Sequence, residues 1–136
     1  MTNLLDKGEK VKAASRKLRL LSADEKNEAI LSICLEIEAQ KEKILRANSI
    51  DVENSRKKGM KESLVDRLAL SEDRIAAMIE SCRSVVSLAD PIGEIESTWV
   101  QKEGLQISRV RVPIGAIGMI YESRPNVTVD ASILSI

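Results

Sequence analysis

The chain has 136 residues, 43% of them apolar, which is enough for one compact domain and too few for two. Chains of this size bury roughly 68% of their unfolded surface, so a core forms without disulfides or metal. Lys plus Arg (21) balances Asp plus Glu (21), and His is absent. The charge balance argues against a nucleic-acid partner held by phosphate electrostatics, and the missing His excludes a histidine general base, a Ser-His or Cys-His pair and a His-ligated metal.

The first ninety residues read as helical. Leu4, Val11, Ala14, Leu18 and Leu21 recur at helical spacing with charges on the other faces. Ser22 and Glu25 have capping-box spacing, so a second helix starts there, with Ala29, Ile30, Ile33, Cys34, Ile37, Ile44 and Leu45 as its apolar stripe. Asn48 and Asp51 mark a break or a recap before a short helix that ends at Lys57-Lys58-Gly59. Ser63 to Asp66 caps another short turn of helix. Ser71 then opens a longer one that buries Ile75, Met78, Ile79, Cys82, Val85 or Val86, and Leu88, and Asp90-Pro91 stops it.

Beyond that the period changes. Residues 95–100 and 105–112 read as two strands joined through Lys102-Glu103-Gly104. Residues 116–121 form a nearly continuous apolar run, the pattern of a strand buried on both faces. Residues 127–136 return to helical spacing and stop amid apolar side chains, so the chain is expected to be cut inside an element. The longest uncharged run, 112–121, is about half of the roughly 20 residues a membrane helix needs. The amino terminus lacks the apolar stretch of a signal peptide, and Cys34 and Cys82 are far apart and not in a CxxC pair. A cytoplasmic chain without a membrane segment follows, with both cysteines acting as small core hydrophobes.

The informative segment is 112–130. It reads as a buried strand, a polar turn over 122–126 and a helix start, and such a turn lies where open α/β sheets bind ligands and where helix N–H groups meet anions. Arg124 offers a fork for phosphate or carboxylate, and Asn126 a neutral amide that can donate to a developing oxyanion. The plain structural alternative pairs Glu122 with Arg124 on the surface and uses Asn126 as a helix cap.

These residues resemble the glutamate-5-semialdehyde dehydrogenases, or gamma-glutamyl phosphate reductases, of the aldehyde dehydrogenase superfamily. The resemblance runs through Arg46-Ala-Asn48, Asp51, Asp66-Arg-Leu-Ala-Leu-Ser71, Arg74-Ile75, Leu88-Ala-Asp-Pro-Ile-Gly93, Gly104 to Arg111, and Tyr121-Glu-Ser-Arg-Pro-Asn-Val-Thr-Val-Asp130. It implies an α/β, aldehyde dehydrogenase-like fold, of which residues 1–136 are an incomplete amino-terminal part of the cofactor-binding domain. Residues 1–90 are then a helical lead-in, 95–112 a hairpin like the superfamily's bridging strands, and 113–136 the first sheet strand, its turn and a helix start.

The implied chemistry is reduction of L-glutamyl 5-phosphate by NADPH to glutamate 5-semialdehyde and phosphate. The nucleophilic cysteine is expected beyond residue 136, so this chain carries no catalytic nucleophile and no metal, and is inactive alone. Carried over by position, Ile120, Tyr121, Glu122, Ser123 and Arg124 line the cofactor cleft, and Arg124 and Asn126 contact substrate. The superfamily's oxyanion asparagine lies in a Trp-Asn-Phe-Pro turn that becomes Ser-Arg-Pro-Asn here, leaving Asn126 and the Arg124 position as alternatives. Implied partners are a second copy of the enzyme and glutamate 5-kinase. A rival reading is a non-catalytic helical interaction module that uses exposed Ile133, Leu134 and Ile136, or a truncated product without activity.

Overall fold

The computed structural model describes residues 3–136. In chain order the elements are α1 (Leu4–Leu18), α2 (Ala23–Ala39), α3 (Lys41–Lys57), α4 (Glu62–Leu68), α5 (Glu72–Val86), β1 (Ile95–Val100), β2 (Gln106–Val110) and α6 (Pro125–Ile133). They fall into two compact units rather than the single domain that length allows. One joins the segment ending at Leu21 with Ala89–Ile117, and the other joins Ser22–Leu88 with Gly118–Ile136.

In the first unit α1 is set by its ends. The Asn3 side chain accepts from the Leu5 N–H, Asp6 lies in the first turn, and Arg16 and Lys17 close the last turn, each complementing the helix dipole. None of its residues is buried, so the stripe that includes Leu4 and Val11 faces solvent. The hairpin pairs β1 with β2 antiparallel, with Trp99 opposite Ile107 and Thr98 opposite Ser108. The Thr98 and Ser108 hydroxyls share a hydrogen bond of 2.9 Å across the strands. Gly104, at φ 84°, makes the turn, and its N–H donates to the Gln101 carbonyl. The second strand is shorter than the sequence pattern suggests, although the Arg111 N–H still donates to the Glu94 carbonyl. The Arg111 guanidinium lies 3.2 Å from Glu94 and 3.1 Å from Glu96, which pins the open end of the hairpin.

The expected strand at 116–121 does not form: residues 111–122 carry no regular structure, and Ile114, Ile117, Met119 and Ile120 are exposed. A strand needs a neighbour to pair with. Among the described residues the only ladder is the hairpin's own.

The second unit holds the core. Ile30 and Cys34 of α2, Ile75, Ile79 and Cys82 of α5, and Ile133 of α6 form one buried cluster. Ile75 is wholly buried, and a side chain of that size contributes roughly 1.5–3 kcal/mol by leaving water. The boundaries expected at Ser22 and Ser71 are present. Ser22 and Glu25 make both bonds of the capping box, and the Ser71 hydroxyl accepts from the Arg74 N–H. The stop at Gly59 is a Schellman turn: the Met60 N–H reaches the Ser55 carbonyl, the Gly59 N–H reaches Arg56, and Gly59 sits at φ 75°.

Three local expectations need correction. The long second stripe belongs to two helices, because the chain turns at Gln40 and presents Ile44 and Leu45 to the same core from α3. The cap of α4 is Lys61, which makes no side-chain cap bond, and Ser63 lies inside the helix. The apolar end of the chain is not an exposed patch: Ile133 is buried and Ile136 packs against the core, which leaves Leu134 exposed.

Asn48 does not break α3. It is buried in mid-helix, where its amide donates to the Leu68 carbonyl at 2.8 Å and its oxygen accepts from the Leu70 N–H at 2.7 Å. Both ends of one side chain thus satisfy the backbone of the α4–α5 linker. Asn48→Ala is expected to cost about 1–3 kcal/mol by leaving those groups unpaired. Urea unfolding measures it, and a change within about 0.5 kcal/mol would show that water replaces both bonds.

Candidate functional site

The polar turn over 122–126 enters α6 at one edge of a cleft of about 490 Å³ in the second unit. Its walls are the end of α4 and the linker after it (Asp66, Arg67, Ala69, Leu70), one face of α5 (Arg74, Ala77, Met78, Ser81) and the start of α6 (Arg124, Pro125, Asn126, Asp130).

Local rules place each wall. Pro125 occupies the first position of α6, where its missing N–H costs nothing, and no side chain caps the helix. Ser123, two residues before it, has φ 52°, a left-handed conformation that is rare for a residue with a side chain. The Tyr121 hydroxyl is tied to the Thr128 hydroxyl at 2.6 Å, which closes the turn onto α6. Across the cleft, Arg74 donates to the Ala69 carbonyl at 2.7 Å and to the Asp66 backbone carbonyl, and its guanidinium lies 3.1 Å from the Asp66 carboxylate. Arg74 and Asn48 therefore hold one linker from two sides.

The charges in the cleft are unevenly engaged. Of its two acids, Asp66 is paired with Arg74, and Asp130 accepts from the Asn126 amide at 3.1 Å. Arg67 and Arg124 have no hydrogen-bond or ion-pair partner among the described residues. With three arginines against two aspartates, and two of the guanidinium forks unpaired, the cleft carries a net positive charge that favours an oxyanion.

Of the residues singled out in the sequence, the cleft brings together Arg124 and Asn126. Ile120, Tyr121, Glu122 and Ser123 lie outside its lining, and Ile120 is fully exposed. The surface alternative fails in both halves. Glu122 makes no ion pair with Arg124 among the described residues, and Asn126 sits inside the helix and bonds to Asp130 instead of capping. The Asn126 amide has a second N–H beyond that bond. Arg67, Arg74 and Asp130 were not read as site residues from sequence. The signal lay in the strings Asp66 to Ser71 and Tyr121 to Asp130, but nothing local brings the two strings together.

Both thiols sit in the core. Burial pushes the Cys82 thiol from its ordinary 9.0 up to about 11, reinforced by the adjacent Cys34 thiol and the Asp130 charge. It is therefore the protonated, unreactive form near neutral pH. Among the described residues no three His, Cys, Asp or Glu side chains gather as metal ligands, and no helix is long and apolar enough to cross a membrane.

No protein-family model matches the chain. It is 54% identical over all 136 residues to a gamma-glutamyl phosphate reductase of Kosmotoga olearia and 53% identical to that of Thermotoga maritima, covering 33% of each. The crystal structure of gamma-glutamyl phosphate reductase from Thermotoga maritima matches 96% of this chain at a TM-score of 0.92 and 54% identity, over 32% of its own length. That from Saccharomyces cerevisiae matches 93% of this chain at 0.88 and 28% identity, again over 32%. The chain spans about a third of the length of the curated relatives it matches, and that third is amino-terminal. Its helical region and hairpin are thus an amino-terminal portion of an aldehyde dehydrogenase-like fold.

The buried thiols set a check. Because folding raises the Cys82 pKa, its contribution to stability is complete below pH 9 and is lost as pH rises through about 11. Stability measured between those values should fall in the native chain and stay flatter in Cys82→Ala. Alkylation of either cysteine near pH 7 should be slow until the chain unfolds, and rapid labelling of the folded chain would contradict the core assignment.

Proposed function

We propose that this chain is the ligand-facing amino-terminal part of a cytoplasmic, NADPH-dependent reductase that converts L-glutamyl 5-phosphate to L-glutamate 5-semialdehyde and phosphate in L-proline biosynthesis. The observation that carries the reading is the 54% identity along the whole chain to a protein of that name. The cleft gives it a physical basis. Arg124 and the uncapped first turn of α6 suit a phosphate oxyanion, whether borne by the dinucleotide or by the acyl phosphate.

When bound, the nicotinamide supplies the hydride. In the proposed reaction a cysteine thiolate displaces phosphate from the acyl carbon to give a thioester, which that hydride would reduce to the aldehyde with release of the thiolate. Neither Cys34 nor Cys82 suits that nucleophile, since both are buried. The residues of this chain act on binding and charge. Arg124 holds phosphate, and the free N–H of Asn126 faces the developing oxyanion. Ile120, Tyr121, Glu122 and Ser123 form the cofactor-side edge of the turn. The hairpin is the surface for association with a second copy, and a glutamate 5-kinase is the partner that makes the acyl phosphate.

Titration with NADPH, followed by its fluorescence, tests the reading. Binding should saturate, and Arg124→Ala should weaken it roughly tenfold or more, since a hydrogen bond to a charged group contributes about 1.5–3 kcal/mol. Equal binding by the variant would remove Arg124 from the site. The isolated 136 residues should not reduce NADP+ with the semialdehyde as substrate. Measurable turnover would place the nucleophile on one of the buried cysteines.

A further inference from the structure

Arg67 has no role in the reading above, yet it lines the same cleft as Arg124 and its guanidinium has no partner among the described residues. Its placement is built rather than incidental. It sits in the last turn of α4, next to Asp66, whose carboxylate and carbonyl are both held by Arg74. The linker that follows is fixed by Arg74 at Ala69 and by Asn48 at Leu68 and Leu70. Five polar contacts therefore immobilise the backbone on either side of Arg67 and leave its own fork free.

A plain role as a cation at a helix C-terminus requires none of this. Such a charge contributes a few tenths of a kcal/mol to about 1 kcal/mol from any rotamer and needs no clamped neighbours. Nor does Arg67 have an ion-pair partner inside the cleft: Asp66 is held by Arg74, and Asp130 is bonded by the Asn126 amide rather than by either free arginine.

We infer that Arg67 and Arg124 are two separate seats for a ligand carrying two anionic groups: Arg124, at the entry of α6, takes the phosphoryl group, and Arg67, at the end of α4, takes a carboxylate. This rests on the proposed reductase reading and extends it. Arg67 becomes the group that tells an acyl phosphate with a distal carboxylate from one without it. Arg74 and Asn48 are positioning residues that act through the linker. A ligand bearing only one anion engages one seat.

The test uses the 136-residue chain with two probes, inorganic phosphate and L-glutamate, each titrated while the side-chain N–H signals of the arginines are followed by NMR. L-glutamate, whose second carboxylate can reach the other seat, should shift the Arg67 signal most, and inorganic phosphate the Arg124 signal. Arg67→Gln should weaken L-glutamate binding at least tenfold and change phosphate binding less than twofold, whereas Arg124→Gln should weaken phosphate binding at least tenfold and L-glutamate binding by less than Arg67→Gln does. Arg67→Lys, which keeps the charge but loses the fork, should recover L-glutamate binding only in part. Far-ultraviolet circular dichroism confirms that each variant is folded.

Two results overturn the inference while sparing the reductase reading. In one, L-glutamate fails to move Arg67 while phosphate still depends on Arg124. In the other, Arg67→Gln weakens both probes equally, which makes Arg67 a diffuse charge. Phosphate binding that ignores Arg124 overturns the inference and removes Arg124 from the proposed site as well.

Discussion

Everything in the second unit depends on the rotation of α5 about its axis. One stripe of that helix, Ile75, Ile79 and Cys82, is buried with Ile30 and Cys34 of α2 and Ile133 of α6. An overlapping stripe, Arg74, Ala77, Met78 and Ser81, lines the cleft. Residues three and four apart share a helix face, so the two stripes are adjacent and cannot move independently. Burying Ile75 completely therefore also aims Arg74 at the α4–α5 linker. Met78 belongs to both faces, being buried and cleft-lining at once.

The polar contacts around the cleft follow from that packing and have an order. A buried asparagine in mid-helix is unfavourable on its own account, and Asn48 is tolerated because its amide satisfies a linker that leaves helical geometry at Leu68. The same linker lies against Arg74, whose charge is met by Asp66. Exposed ion pairs of that kind contribute little to stability, about 0–1 kcal/mol, so their consequence here is directional. They pair two of the cleft's charges and leave Arg67 and Arg124 as its unpaired cations among the described residues.

Local features of the sequence were readable because their causes are local. Ser22 with Glu25, Ser71 and Gly59 each satisfy backbone groups within a few residues, and all three boundaries stand where composition places them. The turn at Gln40 was not legible, since no glycine, proline or capping side chain marks it and only the shared core explains it. Asn48 misled for a related reason: its partners are twenty and twenty-two residues away, and a helix-breaking residue type says nothing of a distant linker. The run at 116–121 has the composition of a buried strand but no pairing strand among the described residues, and composition carries no information on that. Arg124 and Asn126 stood out because they share a short polar turn. Arg67 did not, because only α5 brings its segment to that turn.

The turn itself shows how the cleft keeps its geometry. A left-handed serine costs on the order of 1 kcal/mol, and it persists only where neighbouring contacts over-determine it. Here the contacts flank it: the Tyr121–Thr128 hydrogen bond spans the turn, and Pro125 fixes the dihedral of the residue that starts α6. With both sides held, Arg124 has no freedom to follow a backbone rearrangement, and only its side chain can adjust to a ligand. The same holds at the other end of the cleft, where Asn48 and Arg74 fix the backbone around Arg67. Two flexible cationic side chains on two rigid supports lose little entropy in the backbone when they close on an anion, so the binding energy of the oxyanions goes into orientation. In the proposed reductase, orientation is what the residues that do not themselves react contribute.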